Sequence, residues 1–138
     1  MSTVRVLVVD DFQAWRGFVC STLRKNPELQ VVGEASDGLE AVHKAKELQP
    51  DLIVLDLGLP TLNGIEAARQ IRKLAPGSKI LFVTQEASAD VVQAALSSGA
   101  QGYILKARAA LDLLPAVDAV LKGHQFVSSG LQSTPDSI

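Results

Sequence analysis

Short apolar runs alternate with longer amphipathic segments along this chain. Five of the runs are rich in Val, Ile and Leu and lie between turn-forming residues, as strands do. After each run, apolar residues recur at three- and four-residue spacings, which is typical of helices that bury one face. The pattern therefore predicts five strand–helix pairs, with strands at residues 4–9, 29–35, 51–56, 79–84 and 102–105.

Local signals place the predicted helices. In the first helix, Trp15 shares a helical face with Phe18 and Leu23, so we expect its ring in the core. In the last helix, Pro115 would interrupt the interior if the helix began at residues 109–110. We therefore predict a start at Asp112 as the N-cap, which puts Pro115 in the first turn. The remaining signals are an Asp37/Glu40 capping box, a helix from about Gly64 to Leu74, and a helix between Ser88 and Gly99.

The five predicted strands are continuous apolar runs rather than alternations of apolar and polar residues. Strands of this kind belong to parallel sheets that helices cover on both faces. The sequence therefore predicts an α/β domain with a doubly wound, five-stranded parallel sheet. In such folds the site forms at the carboxyl ends of the strands, where the strand order reverses.

Composition narrows the class of protein. The chain has 138 residues, 47% of them hydrophobic and 20% charged, which suits one soluble domain. A formal net charge of −2 gives no reason to expect nucleic-acid binding by this chain itself. The single cysteine, Cys20, excludes an intrachain disulfide, and no apolar run reaches membrane-spanning length. We expect a cytoplasmic protein that does not contact a membrane.

Polar residues follow four of the five predicted strands. These are Asp10 and Asp11, Asp56, Thr84 and Lys106. Three converging carboxylates repel one another, and a divalent cation relieves that repulsion. An all-oxygen donor set suits Mg²⁺ better than zinc. Carboxylate, Mg²⁺, ammonium and hydroxyl groups are together the parts needed to place a phosphoryl group on an aspartate.

Four sequence motifs that contain these polar residues resemble the receiver domains of two-component response regulators. The motifs are VLVVDD ending at Asp11, LIVLDLGLP followed by Asn63-Gly64, FVT ending at Thr84, and GAQGYILK ending at Lys106. The resemblance covers residues 4–126 and implies a flavodoxin-like (βα)5 fold with strand order 2-1-3-4-5. On this basis residues 1–126 are expected to form the receiver, and residues 127–138 a flexible tail or the start of a linker.

The resemblance also implies roles for individual residues. Asp56 would accept the phosphoryl group from a sensor histidine kinase. Asp11, Asp56 and the backbone carbonyl of Gly58 would hold Mg²⁺ directly, while Asp10 would act through water. Lys106 would pair with the Asp56 carboxylate and later with its phosphoryl group.

Two further residues would carry the conformational switch. Thr84 would move toward the phosphoryl oxygens, and Tyr103 would turn inward behind it.

The resemblance leaves two questions open. Gly58 offers no side chain to control hydrolytic water, and Glu86 is the candidate to do so instead. Ala107 stands where many receivers have proline, so the sequence does not say whether the preceding peptide bond is cis.

The motif GAQGYILK resembles the subgroup of receivers that precede a LuxR-type helix-turn-helix domain. The chain is then a stand-alone receiver or a fragment, and DNA would be contacted only through an output domain absent from it. A homodimer is the other partner raised by the resemblance. Two alternative interpretations are a constitutive interaction module and a Mg²⁺-dependent phosphatase with an aspartyl-phosphate intermediate. The phosphatase would need an acid two residues after Asp56, where Gly58 stands. We therefore expect a phosphoacceptor switch rather than an enzyme acting on a separate substrate.

Overall fold

A parallel sheet runs through the centre of the fold. The structure is a computed structural model and describes residues 3–85 and 88–128. The strands are β1 (Val4–Val9), β2 (Leu29–Ala35), β3 (Leu52–Leu55), β4 (Lys79–Thr84), β5 (Gly102–Leu105) and β6 (Phe126–Val127). All neighbouring pairs are parallel, and the order across the sheet is β2-β1-β3-β4-β5-β6. The predicted strand order is confirmed for the first five strands.

The prediction of exactly five strands is wrong. β6 is a two-residue strand that pairs with β5, and the Ser128 N–H donates to the Tyr103 carbonyl at 3.0 Å. A pair of apolar residues is too short to show a strand pattern in the sequence. It forms here because the edge of β5 offers backbone groups that need partners. The domain division at residue 126 stays a prediction, and residues 129–138 lie outside the described part of the chain.

Helices cover both faces of the sheet. They are α1 (Gln13–Leu23), α2 (Gly38–Leu48), α3 (Gly64–Leu74), α4 (Ala89–Ser97) and α5 (Ala109–Leu121). α1 and α5 pack on one face against a cluster that includes Val8, Val54 and Leu81. α2, α3 and α4 pack on the other face against Leu7, Ile53 and Phe82. The doubly wound α/β architecture is therefore confirmed. No helix within residues 3–85 and 88–128 has the length and apolar character to cross a membrane.

Most predicted helix ends agree with the structure. The Asp37 carboxylate accepts from the Glu40 N–H at 2.8 Å, while the Glu40 carboxylate accepts from the Ser36 N–H at 2.8 Å. The Ser88 hydroxyl caps α4 by accepting from the Val91 N–H at 3.2 Å. Gly99 follows α4 with φ +104°, the left-handed conformation that favours glycine.

The predicted start of the last helix at Asp112 is wrong. A 3₁₀ turn, Lys106–Arg108, leads directly into α5 at Ala109, so Pro115 lies inside the helix. Burial of Ala109 and Leu113 against the sheet favours the longer helix. Pro115 is exposed, so the hydrogen bond it cannot donate is lost on the water-facing side. The peptide bond between Lys106 and Ala107 is trans, like every other peptide bond in the described ranges.

Candidate functional site

The carboxyl ends of β1, β3, β4 and β5 bring the predicted site residues to one edge of the sheet. Asp10 and Asp11 follow β1, Asp56 follows β3, Thr84 ends β4 and Lys106 follows β5. Asp10, Asp11 and Asp56, here called the acid cluster, each place a carboxylate oxygen within 4.8 Å of the other two. The cluster lies at the reversal of strand order between β1 and β3, as the sequence predicts.

Backbone hydrogen bonds hold the two buried members of the acid cluster in place. The Asp10 N–H donates to the Ala35 carbonyl, and the Asp56 N–H donates to the Val9 carbonyl, both at 3.1 Å. The Asp10 side chain also accepts from the Phe12 N–H at 2.8 Å, which fixes the turn into α1. Asp10 and Asp56 are therefore extensions of the sheet, whereas Asp11 is exposed to solvent.

Burial makes ionised Asp56 costly. The residue is 7% exposed, and loss of hydration raises the pKa of its carboxyl group above the usual range. The charge of Asp10 raises this pKa further, while Lys106 and the Leu57 N–H lower it. Any additional positive charge at the site would therefore stabilise the ionised form of Asp56.

Lys106 is the only lysine within ion-pair distance of the acid cluster among the described residues. Its ammonium nitrogen lies 2.7 Å from Asp10 Oδ2 and 3.8 Å from Asp56 Oδ2. The nearer partner is therefore Asp10, whereas the sequence-based expectation paired Lys106 with Asp56. The Asp10 contact is close in distance, yet Oδ2 accepts no hydrogen bond of acceptable geometry. Asp10 Oδ2 is therefore attracted by the charge of Lys106 but accepts no well-aligned hydrogen bond.

The acid cluster fits a divalent cation. It combines a buried carboxylate oxygen that lacks a hydrogen bond with two further carboxylates within 4.8 Å. Oxygen donors of this kind match Mg²⁺, which commonly binds through few carboxylates and several waters. Asp11 is exposed and so leaves an open side for such waters.

An open cleft of about 820 Å³ leads to the acid cluster. Asp11, Asp56, Gly58, Thr84 and Lys106 all line it. Gly58 leaves room at its rim, because a Cβ at this position would meet only Asp56 Oδ2, at 4.0 Å. Glu86, the residue considered for control of hydrolytic water, lies outside the described residues.

The two residues expected to carry the switch occupy neighbouring strands. Thr84 is 3% exposed at the end of β4, and Tyr103 is fully buried on β5. The Tyr103 ring lies 6.2 Å from the Phe82 ring, centroid to centroid, within one core cluster. Tyr103 is thus inside the fold, and its switching role stays a prediction.

Sequence reasoning missed the tight approach of α3 to the backbone of Asp56 and Leu57. A Cβ on Gly64 would lie 2.2 Å from the Asp56 carbonyl oxygen and 2.7 Å from Leu57 Cα. The Gly64 N–H donates to the Leu57 carbonyl at 2.8 Å. Asn63-Gly64 was interpreted as a turn and helix start, which is correct but incomplete. The sequence signal was the glycine itself, at a position where a capped helix needs none.

Sequence reasoning described Trp15 only in part. Trp15 is partly buried and packs against the core cluster on the α1 and α5 face, as expected, but Lys106 Nζ also lies 5.2 Å from its ring centroid. Phe18, predicted in the core with it, is 37% exposed, whereas Val19 and Leu23 are buried. The available signal was position, because the first turn of a helix after β1 begins at the edge that carries the site.

Comparisons with known proteins agree with this geometry. The family model described as "Response regulator receiver domain" matches residues 6–118. The response regulator protein VraR of Staphylococcus aureus is 40% identical over 122 residues, which cover 88% of this chain. The chain spans 58% of the length of that relative.

Solved structures share the fold over most of their length. A LuxR-family two-component response regulator from an Aurantimonas species has a TM-score of 0.89 and 35% identity, and 94% of this chain and 93% of that one are covered. The response regulator domain of Thermotoga maritima CheB has a TM-score of 0.81 and 37% identity, with 87% and 97% covered. The receiver domain of the putative regulator NarL from Mycobacterium tuberculosis has a TM-score of 0.85 and 31% identity, with 90% and 100% covered.

Proposed function

This chain belongs to the response regulator receiver family of two-component systems, and on that premise we propose that it is a phosphorylation-controlled switch. Asp56 accepts a phosphoryl group from a sensor histidine kinase, and the domain then changes conformation to control an output. The observation that supports this most directly is that Asp11, Asp56, Thr84 and Lys106 line one open cleft, with Asp10 beside them in the acid cluster.

Each residue of the cleft has a different role in the proposed phosphoryl transfer. An Asp56 carboxylate oxygen attacks phosphorus, the bond from phosphorus to the donor's histidine nitrogen breaks, and the electron pair leaves with that nitrogen. Asp56 lines the open cleft, where a phosphoryl donor can reach it, and Lys106 offsets the charge that develops on the phosphoryl oxygens. Thr84 offers a hydroxyl donor at the same edge.

Mg²⁺ is the cofactor that we propose for this site. Asp11, Asp56 and the Gly58 carbonyl would hold it, with Asp10 beside them. Bound there, the ion supplies positive charge that lets two anionic groups approach each other. Gly58 also argues against a phosphatase, since no acid stands two residues after Asp56 to protonate a leaving group.

The switch follows from a local change of charge. A phosphoryl group on Asp56 adds oxygens that Thr84 and Lys106 can contact. Such contacts favour whichever arrangement of β4 and β5 allows them, and shift its population by the free energy they add. Tyr103, buried on β5 beside these strands, is the residue through which we propose that the change reaches the surface.

The output is proposed from the relatives. The solved relative from Aurantimonas carries the LuxR-family name, and VraR is longer than this chain. We propose that this receiver controls transcription through a LuxR-type DNA-binding domain on the same protein. Pairing of two receivers, through α1 and α5 or across α4 and β5, would bring two such domains together.

Intact-mass spectrometry tests the proposal directly. The protein is incubated with acetyl phosphate and Mg²⁺ as wild type, as Asp56→Asn, and as Glu28→Gln, an exposed acid far along the chain from the cluster. We expect one added phosphoryl group on the wild type and on Glu28→Gln, and none on Asp56→Asn. Equal labelling of all three proteins would show that Asp56 is not the acceptor. Absence of labelling in all three, repeated with a histidine kinase as donor, would favour the constitutive module.

A further inference from the structure

We propose that Trp15 is a positioning residue for Lys106, holding its ammonium group on the face of the indole ring beside the acid cluster. This inference rests on the proposed function, because it concerns the group that stabilises the phosphoryl oxygens. It adds to the site a residue that the motifs of the chain do not contain.

The geometry supports a cation–π contact. Lys106 Nζ lies 5.2 Å from the Trp15 ring centroid, within the range of about 6 Å over which a ring attracts a cation. The Lys106 side chain is only 15% exposed, so water screens the contact little. Tryptophan is the aromatic residue that attracts cations most strongly.

The ring is itself held in place. Trp15 lies in the first turn of α1 and packs against the Phe18 ring, with a centroid separation of 4.9 Å. The next residue, Arg16, donates to the Asp10 carbonyl at 2.8 Å and pairs with Glu34 at 3.0 Å. These contacts tie the start of α1 to the ends of β1 and β2. The indole face is therefore presented at a fixed place beside the cluster.

A ring contact does something that a fourth carboxylate could not. Lys106 already lies 2.7 Å from Asp10 and 3.8 Å from Asp56. Another acid would hold the ammonium more tightly, but it would also raise the pKa of Asp56. The indole face attracts the ammonium without adding net charge and without accepting a hydrogen bond from it. Lys106 can then turn from a carboxylate to a phosphoryl oxygen while it stays over the ring.

The first test is the rate of phosphorylation of Trp15→Phe and Trp15→Leu by acetyl phosphate with Mg²⁺. Trp15→Leu should react about fivefold more slowly than wild type, which corresponds to about 1 kcal/mol of lost transition-state stabilisation. Trp15→Phe, which keeps a weaker ring, should fall between them. Phe126→Leu is the matched control, since it removes a partly buried aromatic ring that packs against the same core cluster but lies beside Gly102, at the end of β5 away from Lys106. Equal loss in Phe126→Leu and Trp15→Leu, or wild-type rates in both Trp15 variants, would overturn the proposal.

The second test does not depend on phosphorylation. Trp15 is the only tryptophan in the chain, so fluorescence excited at wavelengths that tyrosine does not absorb reports its surroundings alone. Lys106→Gln should shift the emission, whereas Lys122→Gln, a change in an exposed lysine beyond α5, should not. Identical emission from wild type and Lys106→Gln would overturn the contact. If the wild type is not phosphorylated but Lys106→Gln shifts the emission, the proposed function fails and the contact stands.

Discussion

Replacement of Asp56 by asparagine should raise the free energy of unfolding of this protein at neutral pH in the absence of divalent cations. The change removes one negative charge from a buried position and nearly preserves the shape of the side chain. Asp56 is 7% exposed, and burial is the largest cause of its raised pKa. The variant is the same one that should abolish phosphorylation, so the stability gain and the loss of function are expected together.

The magnitude follows from the distances at the site. Lys106, 3.8 Å from Asp56, attracts it by about 4 kcal/mol at an effective dielectric constant of about 20. Asp10, within 4.8 Å, repels it by about 3–4 kcal/mol on the same scale, and exposed Asp11 adds a smaller repulsion. These charge terms nearly cancel. The lost hydration of the carboxylate remains, and we expect Asp56→Asn to gain about 1–3 kcal/mol.

The sign of the pH dependence follows from the raised pKa. A carboxyl group whose pKa is higher in the folded state binds its proton more tightly there than in the unfolded chain. Its ionisation therefore costs no stability below the pKa of the unfolded state, and the cost grows as pH rises from that pKa to the higher pKa of the folded state, above which it stays constant. The difference between Asp56→Asn and wild type should be small at low pH and largest at neutral pH.

The assay is urea denaturation of both proteins at several pH values with a chelator present, followed by the same series with Mg²⁺. Glu28→Gln is the control, and its difference from wild type should stay flat across the series. Mg²⁺ should stabilise the wild type more than Asp56→Asn, because the variant lacks one carboxylate ligand. A less stable Asp56→Asn protein, or a gain that is as large at low pH as at neutral pH, would refute this account of the site.

Two further substitutions test other parts of the fold. Gly64→Ala should lower the free energy of unfolding by at least about 1–3 kcal/mol and slow phosphorylation of Asp56, because its Cβ would lie 2.2 Å from the Asp56 carbonyl oxygen. The control is Gly17→Ala, in a helix interior with open space, which should be neutral or stabilising. Thermal denaturation measures both variants. Equal melting temperatures for the two variants would contradict the close approach. Ser128→Ala should cost about 1–3 kcal/mol, because the buried hydroxyl donates to Asp112 Oδ2 at 2.8 Å and accepts from the Leu105 N–H at 3.1 Å. Hydrogen exchange at Leu105 should then be faster, and unchanged protection there would show that the hydroxyl is not its partner.

The sequence predicted the parts of the fold that depend on local pattern. Apolar runs gave β1 to β5 within one residue, and capping residues gave the start of α2 and both ends of α4. The order of polar residues at strand ends predicted that the acid cluster, Thr84 and Lys106 would meet, since parallel strands bring their carboxyl ends to one edge.

Features that depend on three-dimensional contact were predicted poorly. β6 has only two residues, and it exists because β5 has a free edge. The start of α5 depends on burial of Ala109 and Leu113, which outweighs the poor fit of Pro115 to a helix interior. The nearness of Lys106 to Asp10 and Trp15 joins β5 to the start of α1, which no pattern within either segment encodes.

The direction of β6 has a consequence for protein engineering. Because β6 runs parallel to β5, the chain at Ser128 runs toward the edge of the sheet that carries the acid cluster, not toward the opposite edge. A fluorescent protein or other reporter domain joined after this strand would therefore be attached on the side of the site, and a rigid joint there would restrict access to the cleft. Removal of residues from 124 onward would instead expose a bare β5 edge and invite aggregation. A soluble sensor built from this receiver should keep Ser128 and place a flexible spacer after it.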